Sequence, residues 1–256
     1  MALAVAARCS VTAHHVHHGL RPSADVDARV AQQVAASMGV EFVLHRVTVT
    51  PGSNLEARAR SARHAVLPAE VMTGHTADDQ AETVLLRLIR GAGSRGLGAM
   101  TPGLRHPILN LRRDETQALC QALGIVTAQD PTNADPRHLR NRVRHEVLPL
   151  LNEVADRDVV PLLVRTAELL RQDSTALDDA ARALDPTDAL AVAAAPLALA
   201  RRAIRAWLIE DGYPPDAAAV ERVLEVARGT RTACEIPGGR RVERSRQRLR
   251  VHGPAR

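Results

Sequence analysis

The chain has 256 residues, 45% hydrophobic and 25% charged, so at about 150 residues per domain it should form one large domain, or one with a smaller companion. Cys9, Cys120 and Cys234 lie too far apart in sequence for a disulfide framework, a CxxC redox pair or a cysteine zinc finger. The formal charge is +5 and all 34 basic residues are arginine, which suits phosphate partners; with Phe42, Trp207 and Tyr213 as the whole aromatic complement, base stacking on aromatic rings is excluded as the main grip on RNA.

Cys9–Val16 is expected as a strand on its β-branched residues. Ser23 should cap a helix through Met38, on the recurrence of Val26, Val30 and Val34, and Glu41–Val49 should be a second strand. Asn54 should start a helix through about Ala65, and Glu70–Gly74 should form a short strand feeding a helix over Thr76–Ile89. A glycine-rich loop, 91–98, a helix over Arg113–Leu123 and a short strand at Ile125–Val126 follow. Strand alternating with helix predicts an α/β fold with a doubly wound, mainly parallel sheet. From about residue 149 the chain is Ala/Leu-rich and helical in character. A helix near 215–228 and strand-like Ala233–Ile236, Arg241–Arg244 and Arg248–Val251 close it. Two domains are expected, 1–148 and 149–256, the second smaller and mostly helical. The longest uncharged apolar stretch, 189–200, is about half a bilayer span and contains Pro196; no membrane partner is expected, and a reducing cytoplasm is.

The most informative segment is Gly74-His75-Thr76-Ala77-Asp78-Asp79-Gln80-Ala81-Glu82-Thr83, where a strand is expected to end and a helix to begin. Ligands bind at such points in open α/β sheets. Three acids in the first turns suit the helix dipole as a plain cap, or form a Mg²⁺-nucleotide or cationic-substrate site. His14-His15-Val16-His17-His18 reads as a polar strand end lining a cleft, since no further ligand set follows at a metal-site spacing. Arg58, Arg60 and Arg63 read as a salt-laced helix face, and 91–98 as either a connector or a close approach to a ligand. Arg137, Arg140, Arg142 and Arg144 crowd into eight residues, for which phosphate binding is the preferred reading over plain surface charge.

In order and spacing, His15-Val16-His17-His18-Gly19-Leu20-Arg21, Asn54-Leu55-Glu56-Ala57-Arg58-Ala59-Arg60, the Gly74–Thr83 segment, Arg95-Gly96-Leu97, Asp130-Pro131-Thr132-Asn133 and Arg140-Asn141-Arg142-Val143-Arg144 resemble the tRNA(Ile)-lysidine synthase family. Arg201–Leu208 and Ile236–Val242 look like its substrate-recognition domain. The resemblance implies an adenine nucleotide α-hydrolase-like (N-type ATP pyrophosphatase) domain using ATP and Mg²⁺. Its reaction ligates free L-lysine to C2 of the wobble cytidine of a CAU-anticodon tRNA(Ile), turning a methionine codon preference into an isoleucine one. Carried over by motif, Asp79 and Glu82 hold the lysine and with Asp78 serve catalysis; Asp78 also helps hold Mg²⁺. Arg63, Arg140, Asn141 and Arg144 face the tRNA, and His15 and His75 the nucleotide. Two alternatives remain at this point: a related ATP-dependent tRNA-thiolating enzyme, for which three isolated cysteines are a poor match, and a truncated tRNA-binding relic without chemistry.

The family's Ser-Gly-Gly-x-Asp-Ser nucleotide loop is not in this sequence, and Met1–Ala7 looks like the helix that should follow it. In-frame coding sequence for a strand and that loop is therefore expected upstream of Met1. The polypeptide alone is expected to bind ATP weakly or not at all and to be prone to aggregate, its sheet lacking a central strand.

Overall fold

The computed structural model describes residues 1–19, 24–50, 52, 55–127, 135–209 and 214–253, without the side chains of Glu56 and Ala57. Leu20, Arg21, the expected caps Ser23 and Asn54, Asp130–Asn133 and Tyr213 lie outside the described residues. The chain divides into two compact units, 1–91 with 99–165, and 92–98 with 166–256. The second unit takes in the glycine-rich 92–98 and begins again at 166.

The first unit opens with α1 (Ala2–Ala6) and a βαβ arrangement: β1 (Thr12–His17), α2 (Ala24–Ser37) and β2 (Glu41–Arg46). β1 and β2 pair in parallel, from Thr12 opposite Glu41 to His17 opposite Arg46. Parallel neighbours need a crossover, and α2 is that crossover. It is Ala24, Ala28 and Ala35 that α2 buries, while Val26 of the expected valine row is exposed. Among the described residues these two strands make up the parallel sheet. Glu70–Gly74 and Ile125–Val126 are not strands. The first has a single hydrogen bond of ladder type, from Thr73 N–H to the Arg105 carbonyl at 2.9 Å. Val126 is 74% exposed, so pairing there would bury nothing.

Helix α3 spans Leu55–Val66 and α4 spans Ala77–Ile89, close to the sequence expectation. Ala77, Ala81 and Leu85, spaced at one helical turn, bury against Val143, Leu148, Val159 and Val160. Helix α4 also buries Gln80, whose amide clamps the backbone of Met100 in both directions at 2.9 Å.

The second unit begins with α5 (Ser94–Leu97); α6 (Arg113–Ala122), α7 (Leu139–Arg142) and α8 (Leu148–Ala155) belong to the first. A π-turn, Val143–Val147, joins α7 to α8, with Leu148 N–H donating five residues back to the Val143 carbonyl. Pro149 explains it: without an N–H it cannot extend an i, i+4 ladder, and the bulge absorbs its ring.

Helix α9 (Val160–Arg182) runs from the first unit into the second, which adds α10 (Ala189–Ala194), α11 (Leu197–Trp207) and α12 (Ala217–Arg228). Strands β3 (Ala233–Ile236), β4 (Arg240–Ser245) and β5 (Arg248–His252) form an antiparallel sheet in that order. Its core gathers Ile204, Leu208, Val223, Leu224, Val226, Val242 and Leu249. Asp188 caps α10 and Asp216 caps α12, and Gly229 at φ +80° ends α12 in the left-handed conformation that favours glycine. Gly98 packs against α9: a Cβ there would stand 3.2 Å from Arg171 Cβ, and Arg171 donates to the Gly98 carbonyl at 2.9 Å. The close approach that this loop's glycines permit is therefore to a helix of its own unit. No helix among the described residues is long and apolar enough to cross a membrane.

Candidate active site

Thr76 opens α4 in extended conformation, and Asp79 reaches back to it: Asp79 Oδ2 accepts from Thr76 N–H at 2.9 Å and from its hydroxyl at 3.1 Å. This capping box uses one oxygen of Asp79 and turns the other away. Asp79 Oδ1 accepts from Arg113 at 3.2 Å and from Arg140 at 3.1 Å, with Arg144 3.7 Å away. Glu82, one turn on, has no exposed side-chain surface. Its Oε1 accepts from Arg113 Nη2 at 2.9 Å and Arg144 Nε at 2.7 Å, and its Oε2 from Arg140 Nε at 2.7 Å and Arg144 Nη2 at 3.1 Å.

Asp78 looks elsewhere. It accepts from the Arg113 backbone N–H at 2.7 Å, so a residue of α4 caps the start of α6. Arg112 adds Nη2 on Asp78 Oδ1 at 3.1 Å and Nε on Oδ2 at 3.3 Å, and also grips Asp158, which caps α9 through Val160 N–H. The starts of α4, α6 and α9 are thereby pinned to one another.

Burial alone would raise the pKa of all three carboxylates, yet each is lowered. For Glu82 the hydrogen bonds from Arg144 and Arg140 outweigh burial; for Asp79 it is the Thr76 cap with Arg113 and Arg140, and for Asp78 it is Arg112 and the Arg113 N–H. All three are held ionised, Glu82 fully buried and Asp78 and Asp79 partly so, which is what recognition of a cation requires.

The basic run separates by helical phase. Arg140 and Arg144, four residues apart, face the carboxylates, while Arg142 pairs with Glu146 at 3.1 Å and Arg137 with Asp135 at 2.6 Å on the surface. Asn141 is buried and its amide donates to the Asp135 carbonyl at 2.9 Å, closing the turn before α7. His75 forms a group with Thr73 and His106, each imidazole Nδ1 lying 2.7 Å from the Thr73 hydroxyl. Burial lowers the His75 pKa first, and Asp79 opposes that; Arg63 lies near enough to lower His75 and His18 as well. His15 stands on β1 stacked with Phe42, its pKa lowered by burial, while His14 pairs with His45 at 2.9 Å across the strands.

Asp78 accepts three donated hydrogen bonds, one on Oδ1 and two on Oδ2. Among the described residues no three His, Cys, Asp or Glu side chains are grouped to hold a metal ion. Arg112 and Arg113 escaped the sequence reading. Their signal was present: two cations side by side at a helix start, where the dipole disfavours them, imply anionic partners brought from elsewhere.

Residues 2–151 match the PP-loop domain family and residues 188–250 the TilS substrate binding domain. The first unit's centre therefore belongs to a PP-loop, ATP-using domain. The tRNA(Ile)-lysidine synthase of Rhodococcus erythropolis is 43% identical over 227 residues, covering 82% of this chain and 70% of that protein. That of Nocardia farcinica is 41% identical over 254 residues, covering 93% and 79%, and that of Mycolicibacterium paratuberculosis 44% over 225, covering 82% and 70%. The chain belongs to the tRNA(Ile)-lysidine synthase family of ATP-using ligases.

Proposed function

We propose that the chain ligates free L-lysine to C2 of the wobble cytidine in a CAU-anticodon tRNA(Ile), in the cytoplasm. ATP activates the base oxygen, the lysine amine displaces AMP, and the tRNA then decodes isoleucine. The observation that carries the reading is the pair Asp79, near His75, and the fully buried Glu82, both held ionised within a PP-loop family domain. An ammonium group needs such oxygens, and lysine brings one. We assign Mg²⁺ to the nucleotide phosphates, with Asp78, whose Oδ1 carries a single donor, as the carboxylate of this helix start left to help hold it. Arg140 and Arg144 are assigned to the carboxylates rather than to RNA phosphate, and Arg63 to the neighbourhood of His75.

For the tRNA we assign the second unit's sheet. Alternation along β4 and β5 sets Arg241, Arg248 and Arg250 on the face opposite buried Val242 and Leu249. A cavity of about 470 Å³ beside it is lined by Arg222, Arg231 and Arg241 with Glu235. Arg244 N–H donates to the Thr232 carbonyl, so in antiparallel alternation Ala233 and Glu235 turn their backbone groups to the free edge of β3, beside those arginines. Guanidinium groups and open N–H donors together suit phosphate.

The test is nucleoside mass spectrometry of a CAU-anticodon tRNA(Ile) transcript incubated with the gene product, ATP and L-lysine. Lysidine that appears with lysine and not without it is expected. Sulfur-dependent modification of the same transcript instead would overturn the reading.

A further inference from the structure

Glu82 accepts four donated hydrogen bonds, two on each oxygen. A carboxylate has about four such sites, so Glu82 is full. Asp79 is in the same condition, with Oδ2 given to the Thr76 cap and Oδ1 to Arg113 and Arg140. The charge is also balanced in excess. Two carboxylates face three guanidinium groups, those of Arg113, Arg140 and Arg144. A further cation can reach these oxygens only if one guanidinium leaves.

The three are not equally held. Arg144 engages Glu82 through two nitrogens, a forked grip on both oxygens. Arg140 spans Glu82 and Asp79 with two different nitrogens. Arg113 reaches both acids with Nη2 alone, bridging Asp79 Oδ1 at 3.2 Å and Glu82 Oε1 at 2.9 Å. One nitrogen between two carboxylates is the contact a primary ammonium would make. Arg113 also comes from a different element, the first residue of α6, where the helix dipole opposes its charge. Its side chain is 30% exposed, between Arg144 at 23% and Arg140 at 35%, so it has water to move into, and the single-nitrogen contact is what sets it apart. Its backbone N–H stays on Asp78 whatever the side chain does.

We infer that Arg113 is a built-in competitor for the substrate ammonium: its Nη2 occupies the position between Asp79 and Glu82 and is displaced when the amine of lysine enters. The inference rests on the proposal that these two acids bind lysine. It makes Arg113 a residue that sets substrate affinity and restrains entry of other cations, without touching bound substrate.

Calorimetric titration of L-lysine into the chain tests it, with no turnover required. Arg113→Ala is expected to bind lysine about tenfold more tightly, the scale of one charge-assisted hydrogen bond no longer broken on entry. Guanidinium ion at millimolar concentration should weaken lysine binding again in Arg113→Ala and have a smaller effect on the unaltered chain. A purely structural Arg113 would show no such restoration. Should Arg113→Ala fold poorly, Arg113→Met keeps the apolar stem and carries the same expectation. Unchanged or weaker lysine binding in both variants overturns the inference. Glu82→Gln separates this from the reading beneath it. If Glu82→Gln leaves lysine binding intact, the lysine assignment fails. If Glu82→Gln abolishes binding and the Arg113 variants do not tighten it, only the competitor fails.

Discussion

The two units use one residue type in opposite ways. In the first, Arg112 and Arg113 sit at the start of α6, and Arg113, Arg140 and Arg144 turn inward on buried carboxylates. In the second, arginines of β4 finish helices: Arg240 donates to the Leu208 carbonyl at the end of α11, at 3.2 Å, and Arg244 to the Ala227 carbonyl in the last turn of α12, at 2.7 Å. A cation at a helix C-terminus agrees with the macrodipole and completes an orphan carbonyl, whereas a cation at an N-terminus opposes it. The difference teaches where to look for function. Charge placed with local preference holds structure together, and charge placed against it, with partners drawn from distant segments, marks a site.

The sharpest way to break the contrast is Glu82→Gln. Three guanidinium groups would then face Asp79 alone, and the first unit should lose about 2–4 kcal/mol of stability, less than a fully buried pair because the arginines keep some water. Trp207, the chain's one tryptophan, lies in α11 and reports on the second unit. Its fluorescence transition should stay in place in urea while the helical circular dichroism signal splits. A shift of the Trp207 transition equal to that of the helical signal would mean the site's charge network is not local.

Acid should separate the units next. His15, His18, His64, His75 and His106, all in the first unit, have pKa values lowered first by burial. The folded state therefore disfavours their protonation, and the stability this contributes is present above about pH 6.5 and declines as pH falls through the lowered values. Asp78, Asp79 and Glu82, also lowered, add a second loss below about pH 4. Thermal unfolding between pH 7.5 and pH 5 should show the first unit's transition falling ahead of the Trp207 transition. Equal decline of both would sink the assignment of these histidines.

How much of this could be read from the sequence follows from the range of the forces involved. Helices α4 and α12 were legible because caps, periodicity and Gly229 are signals within a few residues. Asp78, Asp79 and Glu82 stood out for the same reason. The partners of those acids did not, since Arg113 is 31 residues from Glu82 and Arg144 is 62 away. The basic run suggested phosphate because its helical phase was unread; the phase sends Arg140 and Arg144 inward and leaves Arg142 on Glu146. The valine spacing predicted helix α2, but not which face it buries: α2 packs by Ala24, Ala28 and Ala35. Glu70–Gly74 was read as a strand from its place before α4, and strand pairing is a long-range property that such a place cannot show.

Salt dependence sharpens the comparison at the level of RNA. If outward arginines meet phosphate and inward ones do not, Arg241→Ala and Arg250→Ala should each reduce the log–log salt slope of tRNA binding by roughly one unit. Arg144→Ala should leave that slope unchanged. The reverse pattern, in filter binding across a salt series, would return the phosphate role to the basic run.

The smallest expected effect is at Arg244, and it tests whether the second unit's arginines are structural alone. Arg244 Nη1 donates to the Ala227 carbonyl, one that α12 cannot satisfy within itself. Removing it loses one hydrogen bond and one favourable dipole contact, so Arg244→Ala should cost about 1 kcal/mol. Gly229 is linked to the same contact: a Cβ there would stand 2.8 Å from Arg244 Nη1, and φ is +80°. Gly229→Ala should therefore destabilise through both backbone strain and displacement of Arg244. In the double variant the Arg244 contact is lost once rather than twice, so the two single effects should sum to more than the double change. Urea unfolding followed at Trp207 measures all three, and lysine binding should not move in any of them. Strict additivity would place Arg244 off the helix end, and a change in lysine affinity would erase the distinction between the two kinds of arginine.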